Sequence, residues 1–223
     1  MIEIGGQYNL KTKTIAFVQY LEAIMAGCII KFFLNPIVSG TDNLKKLLSL
    51  AKEHKVSVVI ISNHINAYDP LYISAALSRE IGNALYPVWL PAKKRFFDNS
   101  FKRIVMSYHG CLPVGIGKDE DSLKSLKGII EKLKAGNAIC VFPEGQVSRD
   151  GTMGEDMGFV TFLARRSTII VQPVNLSGIM GFKTEWRQLL TRKRQLKIAF
   201  GKPLVIEKGE SVNSMKLIAG TSA

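Results

Sequence analysis

Three cysteines, three histidines and 18 acidic residues in a chain of 223 leave little room for several common chemistries. Cys28, Cys111 and Cys140 are far apart, set in apolar surroundings and without CxxC spacing. That pattern argues against a disulfide framework or a zinc site and predicts buried free thiols in a reducing compartment. No Gly-x-Ser-x-Gly elbow occurs, which argues against a serine-hydrolase nucleophile. HExxH and the dinucleotide glycine fingerprint are also missing. The stretch "GCLPVGIGKD" (110–119) approaches a phosphate loop and fails it: Leu112 stands where the first glycine belongs, and Asp119 where Ser or Thr should follow the lysine. There is no Pro/Ser-rich linker, internal repeat or low-complexity tract. Acid is scarce relative to base, with 30 Lys+Arg giving a formal +12. Such a surplus favours an anionic partner, nucleic acid or an anionic membrane surface, and says nothing about fold.

What is present suffices for one sizeable core, since 47% of the residues are hydrophobic. From residue 56 apolar runs alternate with helical patterns. Strands are predicted over 56–62, 84–92, 111–116, 137–142, 167–177 and 195–201. Helices are predicted over 70–80, with Asp69 as N-cap and Pro70 in the first turn, and over 98–108, 119–136 and 157–166. The alternation implies an α/β fold, a largely parallel or mixed sheet with helices on both faces. In "FFDNSFKRIVMSY" (96–108) the apolar residues could line an acyl channel, with core packing the better account.

The N-terminal run 15–34 is near the ~20 residues of a membrane helix. Gln19, Glu22 and Lys31 interrupt it and do not fall on one helical stripe. It also lacks the A-x-A site of a secretory signal. The expected organisation is therefore a helical segment over 1–40, dipping into one leaflet as one helix or two short ones or packed on the domain, followed by a catalytic domain over 41–223.

Ligands of open α/β sheets bind beyond the carboxyl ends of the strands. Three loops with reactive side chains follow strands here: Asn63-His64, Gly115 to Lys118, and Pro143-Glu144-Gly145. If the strands are parallel, all three share one rim. His64 and Asp69 would diverge by about 140° on a continuous helix. The residue before a proline is pushed out of the α region, so 63–69 is expected to be a loop that can fold the carboxylate back onto the imidazole. Asp69 would then set the ring tautomer and stabilise the imidazolium formed when His64 takes a proton. A plain strand-to-helix loop with Asp-Pro as a helix cap is the competing reading. A His–Asp pair without a protein nucleophile suggests that the substrate supplies the attacking group, such as an alcohol. In "FPEGQVSRDG" (142–151), exposed amides around Gly145 could cradle an anion, with Arg149 as a bidentate phosphate clamp. The competing reading there is a solvated turn.

Together these stretches resemble the PlsC-like glycerolipid acyltransferases, the lysophosphatidic acid acyltransferase family. Asn63, His64 and Asp69 match its Asn-His-x4-Asp motif, and Phe142, Pro143, Glu144 and Gly145 its Phe-Pro-Glu-Gly motif. "GCLPVGIGK" and "IIVQPVNLSG" look like its second and fourth blocks, so the likeness covers roughly 56–178. Two departures concern the acceptor: Lys118 stands where the family usually has arginine, and Gln146-Val147 where it often has Thr-Arg. A lysine neutralises a phosphate but lacks arginine's fork.

The resemblance implies transfer of a fatty acyl group from acyl-CoA or acyl carrier protein to a lysophospholipid or glycerol phosphate, 1-acylglycerol-3-phosphate foremost, with no bound cofactor or metal. His64 is the expected general base and Asp69 its orienter. Glu144, Gly145, Lys118 and Arg149, with Asn63, are expected to hold the acceptor. No nucleic acid is expected as a partner; an anionic membrane surface on the cytoplasmic side is, met peripherally or monotopically. The basic segment 185–197, with Trp186 beside Arg187, Arg192, Lys193, Arg194 and Lys197, is a candidate contact with it. A non-catalytic basic lipid- or nucleic-acid-binding protein on the same scaffold is the alternative.

Overall fold

The computed structural model describes residues 9–114, 120–179 and 195–221, and the side chains of 120–125 lie outside the described set. Eight strands form one mixed sheet: β1 (Ile37–Ser39), β2 (Ser57–Ser62), β3 (Val88–Lys93), β4 (Cys111–Val114), β5 (Ala138–Val141), β6 (Ile169–Ser177), β7 (Lys197–Phe200) and β8 (Leu204–Ile206). The spatial order is β1-β7-β6-β2-β5-β3-β4, with β8 also paired to β6. From β6 to β4 all neighbours run parallel, whereas β7 and β8 are antiparallel to β6. The parallel block therefore carries β2, β3, β4 and β5 to one rim, as the alternating pattern predicts.

The helices are α1 (Leu10–Leu34), α2 (Thr41–His54), α3 (Asp69–Ile81), α4 (Ser100–Tyr108), α5 (Glu120–Lys134), α6 (Phe159–Ala164) and α7 (Ser214–Ala219). Period-two alternation splits the core between the two sheet faces. Val58 and Ile60 of β2 pack with Leu44 and Leu47 of α2, Ile73 and Leu77 of α3 and Ala23 and Ala26 of α1. Val59 and Ile61 pack on the opposite side with Ile129 and Leu133 of α5, Leu163 of α6 and Ile218 of α7. Lys197 is the one cation of the basic segment that is described, exposed on β7; positions 180–194 lie outside the described residues.

Several expectations are corrected. Residues 10–34 form one helix, as one of the expected forms had it, and Gln19 within it is buried: it donates from Nε2 to the carbonyls of Val88 (2.8 Å) and His109 (2.7 Å), while accepting from the Val88 amide at 3.0 Å. Glu22, one turn on, meets His109 Nδ1 at 2.8 Å. Two of the three polar breaks, Gln19 and Glu22, thus face the protein and dock the helix, while Lys31 is exposed. That contact raises the His109 imidazole above its ordinary value against the opposing effect of burial, and burial with Glu22 nearby pushes the Cys111 thiol up to about 12. Cys28 is exposed rather than buried. Helix α4 contributes no buried residue, so within 96–108 core packing accounts for Phe97 but not for 100–108. Residues 37–39, placed in the N-terminal segment by sequence, pair as β1 with β7.

Candidate active site

β2 ends at Ser62, and the chain then turns instead of entering a helix. Asn66 Oδ1 accepts from the Tyr68 amide at 2.9 Å, and Asp69 N–H donates to the Asn66 carbonyl at 3.2 Å. These bonds, with Pro70 behind them, bend 63–69 so that Asp69 Oδ2 sits 2.9 Å from His64 Nδ1. The same oxygen accepts from the amides of Ile65 (2.7 Å) and Asn66 (2.8 Å). Asp69 is therefore not the N-cap. Helix α3 starts at Asp69 itself after Tyr68, with no side-chain cap, and the carboxylate points backward. Three converging donors hold it there.

Asp69 is fully buried, and Oδ1 has no hydrogen-bond partner among the described residues. Burial raises its pKa, against the lowering by His64 and the two amides. Because Asp69 accepts from Nδ1–H, the lone pair of the neutral imidazole lies on Nε2. The His64 side chain is 17% exposed and stacks on Phe142, with centroids 4.1 Å apart and planes 23° from parallel. One ring nitrogen is anchored, the ring plane is fixed and the other nitrogen is a base.

Glu144 ties the second loop to the first. Its Oε1 accepts from the His64 amide and its Oε2 from the Gly154 amide, both at 2.9 Å. Ser148 N–H donates to the His64 carbonyl at 2.6 Å. Both backbone polar groups of His64 are thus held by the 142–154 loop. Gly145 has φ +66°, the left-handed region natural to glycine, and its amide turns inward to the Phe142 carbonyl at 2.9 Å. Gly145 therefore offers no free donor to an anion. Gln146 and Val147 are exposed residues whose amides have no acceptor among the described residues, and Arg149 is exposed in the same loop. Asn63 is buried with its amide fully engaged: it donates to the Leu176 carbonyl and accepts from the Leu176 amide, each at 2.8 Å, bridging β2 to β6. β4 reaches the same rim at Val114, and Lys118 lies beyond it among the undescribed residues 115–119.

The structure thus brings His64, Asp69, Glu144 and Gly145 together, leaves Arg149 exposed on the same loop, and gives Asn63 a bridging position. Sequence reasoning missed the ring stack of Phe142 and the Gly154 amide. The first was visible as part of Phe-Pro-Glu-Gly; nothing in the sequence pointed to the second, ten residues from its acceptor.

A sequence model of the acyltransferase family matches residues 35–177, well over half of the chain and every site residue just described. The chain belongs to the acyltransferase family. Among its relatives, tafazzin of Drosophila melanogaster is 28% identical over 138 residues, covering 60% of this chain and 35% of that protein. A probable 1-acyl-sn-glycerol-3-phosphate acyltransferase of Mycoplasma pneumoniae is 25% identical over 139 residues, covering 60% and 50% respectively. The matched region spans half or less of the length of these curated relatives. The crystal structure of PlsC, the 1-acyl-sn-glycerophosphate (LPA) acyltransferase of Thermotoga maritima, superposes with TM-score 0.62 over 90% of this chain and 77% of that one. At 19% identity this establishes the shared fold: a mixed α/β sheet with flanking helices.

In this member of the family the Glu144 tie can be tested directly. In Glu144→Gln the carboxamide nitrogen cannot accept, so either the His64 or the Gly154 amide loses its partner, costing about 1–3 kcal/mol. We expect kcat to fall roughly tenfold through misplacement of His64. Amide exchange at His64 should accelerate while the KM for the acyl donor stays unchanged. Wild-type exchange and kcat in the variant would show that the tie does not place the base.

Proposed function

We propose that the chain transfers a fatty acyl group from a thioester, acyl-CoA or acyl carrier protein, to a hydroxyl of a lysophospholipid or glycerol phosphate, with 1-acylglycerol-3-phosphate the foremost acceptor. The single observation that carries this is the 2.9 Å contact of His64 Nδ1 with buried Asp69, which leaves Nε2 as an anchored base at the rim. Nε2 takes the proton of the acceptor hydroxyl as its oxygen attacks the thioester carbonyl; Asp69 stabilises the imidazolium. General base catalysis of this kind contributes about 10²–10⁴-fold. The tetrahedral intermediate collapses by breaking the C–S bond, and the proton passes to the departing thiolate. An ester and a free thiol result, with no change in oxidation state.

Arg149 and Lys118 supply positive charge for the acceptor's phosphate, joined by the amides of Gln146 and Val147. Glu144 is itself an anion and would repel a phosphate; its part in acceptor binding is limited to hydroxyl groups and to keeping the rim in shape. The surplus of basic residues and the apolar face of α1 support a membrane-associated enzyme, peripheral or monotopic, working on the cytoplasmic leaflet.

The test is release of free thiol by purified protein against a panel of acceptors (lysophosphatidate, glycerol 3-phosphate, other lysolipids), with CoA and carrier-protein donors in parallel. Turnover should be fastest with a phosphate-bearing acceptor. Absence of transfer with every pair, alongside retained vesicle binding, would favour a non-catalytic lipid-binding protein.

A further inference from the structure

The 142–154 loop holds both backbone polar groups of His64, so whatever fixes that loop also fixes the base of the imidazole side chain. From Thr152 to Met157 every residue is exposed except Asp156, which is half-buried. Its two carboxylate oxygens serve different elements. Oδ1 accepts from the Gly158 amide, just before α6, and Oδ2 from the Ser214 amide in the first turn of α7, each at 2.8 Å. The opening amides of a helix have no partner within it, and an anion suits that end. Here the anion comes from the loop that grips His64.

Helix α7 is itself anchored. Ser214 is fully buried, and Ile218 is buried in the same cluster as Val59 and Ile61 of β2. Asn175 of β6 donates from Nδ2 to the Thr221 carbonyl at 2.9 Å, just past the helix. On its other side, Thr161 Oγ1 of α6 donates to the Val212 carbonyl at 3.0 Å and accepts from the Val212 amide at 2.9 Å. β2 also leads directly into Asn63 and His64. The contacts therefore close a frame: β2 carries the His64 turn at its end and supports α7 on its face, and Asp156 joins α7 to the loop. Gly154, two residues before Asp156, donates its amide to Glu144 Oε2, and the other oxygen of Glu144 holds the His64 amide, both at 2.9 Å. Glycine admits that approach, since a Cβ at 154 would sit 3.1 Å from the carboxylate oxygen. The Met157 amide donates to the Pro143 carbonyl at 3.0 Å, which closes the loop on its own stem.

We propose that Asp156 is a positioning residue. By bridging the start of α6 and the first turn of α7 it holds the 142–154 loop in place, and through Glu144 it holds the His64 backbone in place as well. The carboxylate acts through the loop and not on the reacting atoms. Without it, the loop would still be closed by Met157 and Pro143 but would lose its bond to α7, and the whole loop could shift relative to β2. Displacement of a catalytic base by about 1 Å is enough to lower a rate severely. The consequence for catalysis rests on the proposed acyl transfer; the consequence for the order of the His64 turn does not.

The experiment compares the purified full chain with Asp156→Ala, Asp156→Asn and Thr161→Val. It reads thermal unfolding, thiol release from acyl-CoA with lysophosphatidate as acceptor, and amide exchange by NMR. Thr161→Val breaks the tie between α6 and Val212 and leaves Asp156 in place, so it reports what a looser C-terminal segment does by itself. In Asp156→Ala, kcat should fall about tenfold with the KM for the acyl donor unchanged. Exchange at His64 and Gly154 should be roughly tenfold faster. Asp156→Asn keeps one accepting oxygen and should recover part of the loss, with kcat down roughly threefold. Thr161→Val should unfold at a lower temperature, with kcat and His64 exchange as in wild type. Wild-type kcat and His64 exchange in folded Asp156→Ala would overturn the proposal. So would an equal change of both in Thr161→Val, since the effect would then belong to the stability of the segment. If Asp156→Ala does not fold, Asp156→Asn against Thr161→Val decides the same question. Absence of thiol release from wild type with every donor and acceptor would defeat the acyl-transfer reading and leave the exchange comparison to decide the tie.

Discussion

Acyl transfer by a His64→Ala variant is expected to fall by about 10²–10⁴-fold in kcat, while flotation with anionic vesicles persists. Removing the ring takes away the one group at the rim, among the described residues, that combines a basic nitrogen with a fixed orientation. Asp69 cannot replace it: the carboxylate is buried, and the oxygen nearest the rim already accepts from Ile65 and Asn66. The fold should tolerate the loss, because those two amides still hold Asp69 and the Glu144 bond runs to the His64 backbone. An expected cost of about 1–2 kcal/mol covers the lost Phe142 stack and one lost donor to Asp69. Single-turnover measurement of thiol release, with circular dichroism to establish folding, checks this. Undiminished transfer in the folded variant would remove His64 from the mechanism.

The second large effect separates activity from stability. Asp69→Asn should lower kcat by roughly 10³-fold, because an amide cannot stabilise the imidazolium and can present either end to Nδ1. Stability should move the other way with pH. Burial raises the Asp69 pKa above its ordinary 3.8, so the native protein binds a proton here more readily than the unfolded chain does. For such a group, folding stability declines as pH rises from the unfolded value through the raised one. A neutral isostere lacks that decline. Denaturant unfolding should therefore find the variant close to wild type at acid pH and gaining on it as pH rises to neutrality. A buried amide nitrogen without an acceptor limits the gain, at about 1–3 kcal/mol. A variant that lost stability relative to wild type on raising the pH would mean that the carboxylate charge is favoured, not opposed, by its surroundings.

Much of the site was legible because its motifs are short-range. The prediction that 63–69 bends rested on the constraint that Pro70 places on Asp69, and it holds with the imidazole and carboxylate in contact. The capping role was misjudged because a local rule assigns an Asp before a helix to the amides ahead of it. The donors that captured it lie behind, at Ile65 and Asn66. Glu144 and Asn63 were picked out by motif, but what they touch, Gly154 and Leu176, sits on other elements and left no spacing to read. Helix α4 was misjudged for a related reason. A stripe of Phe, Ile and Tyr reads as core wherever a partner is assumed, and only the assembled sheet reveals that none of the helix's residues is buried among the described residues.

By itself, the order of residues determined the alternation of strands and helices, the parallel block of the sheet and the two loops that carry the chemistry. These follow from hydrophobic period and from turn residues, which act over a few positions along the chain. Only the tertiary structure decided which polar atoms meet: the two amides behind Asp69, the carboxylate that ties the loops through the His64 backbone, and the inward turn of Gln19 and Glu22 on a helix that looks outwardly like a membrane span. Those contacts join residues up to 90 positions apart. They depend on where whole elements come to rest, which no local pattern encodes.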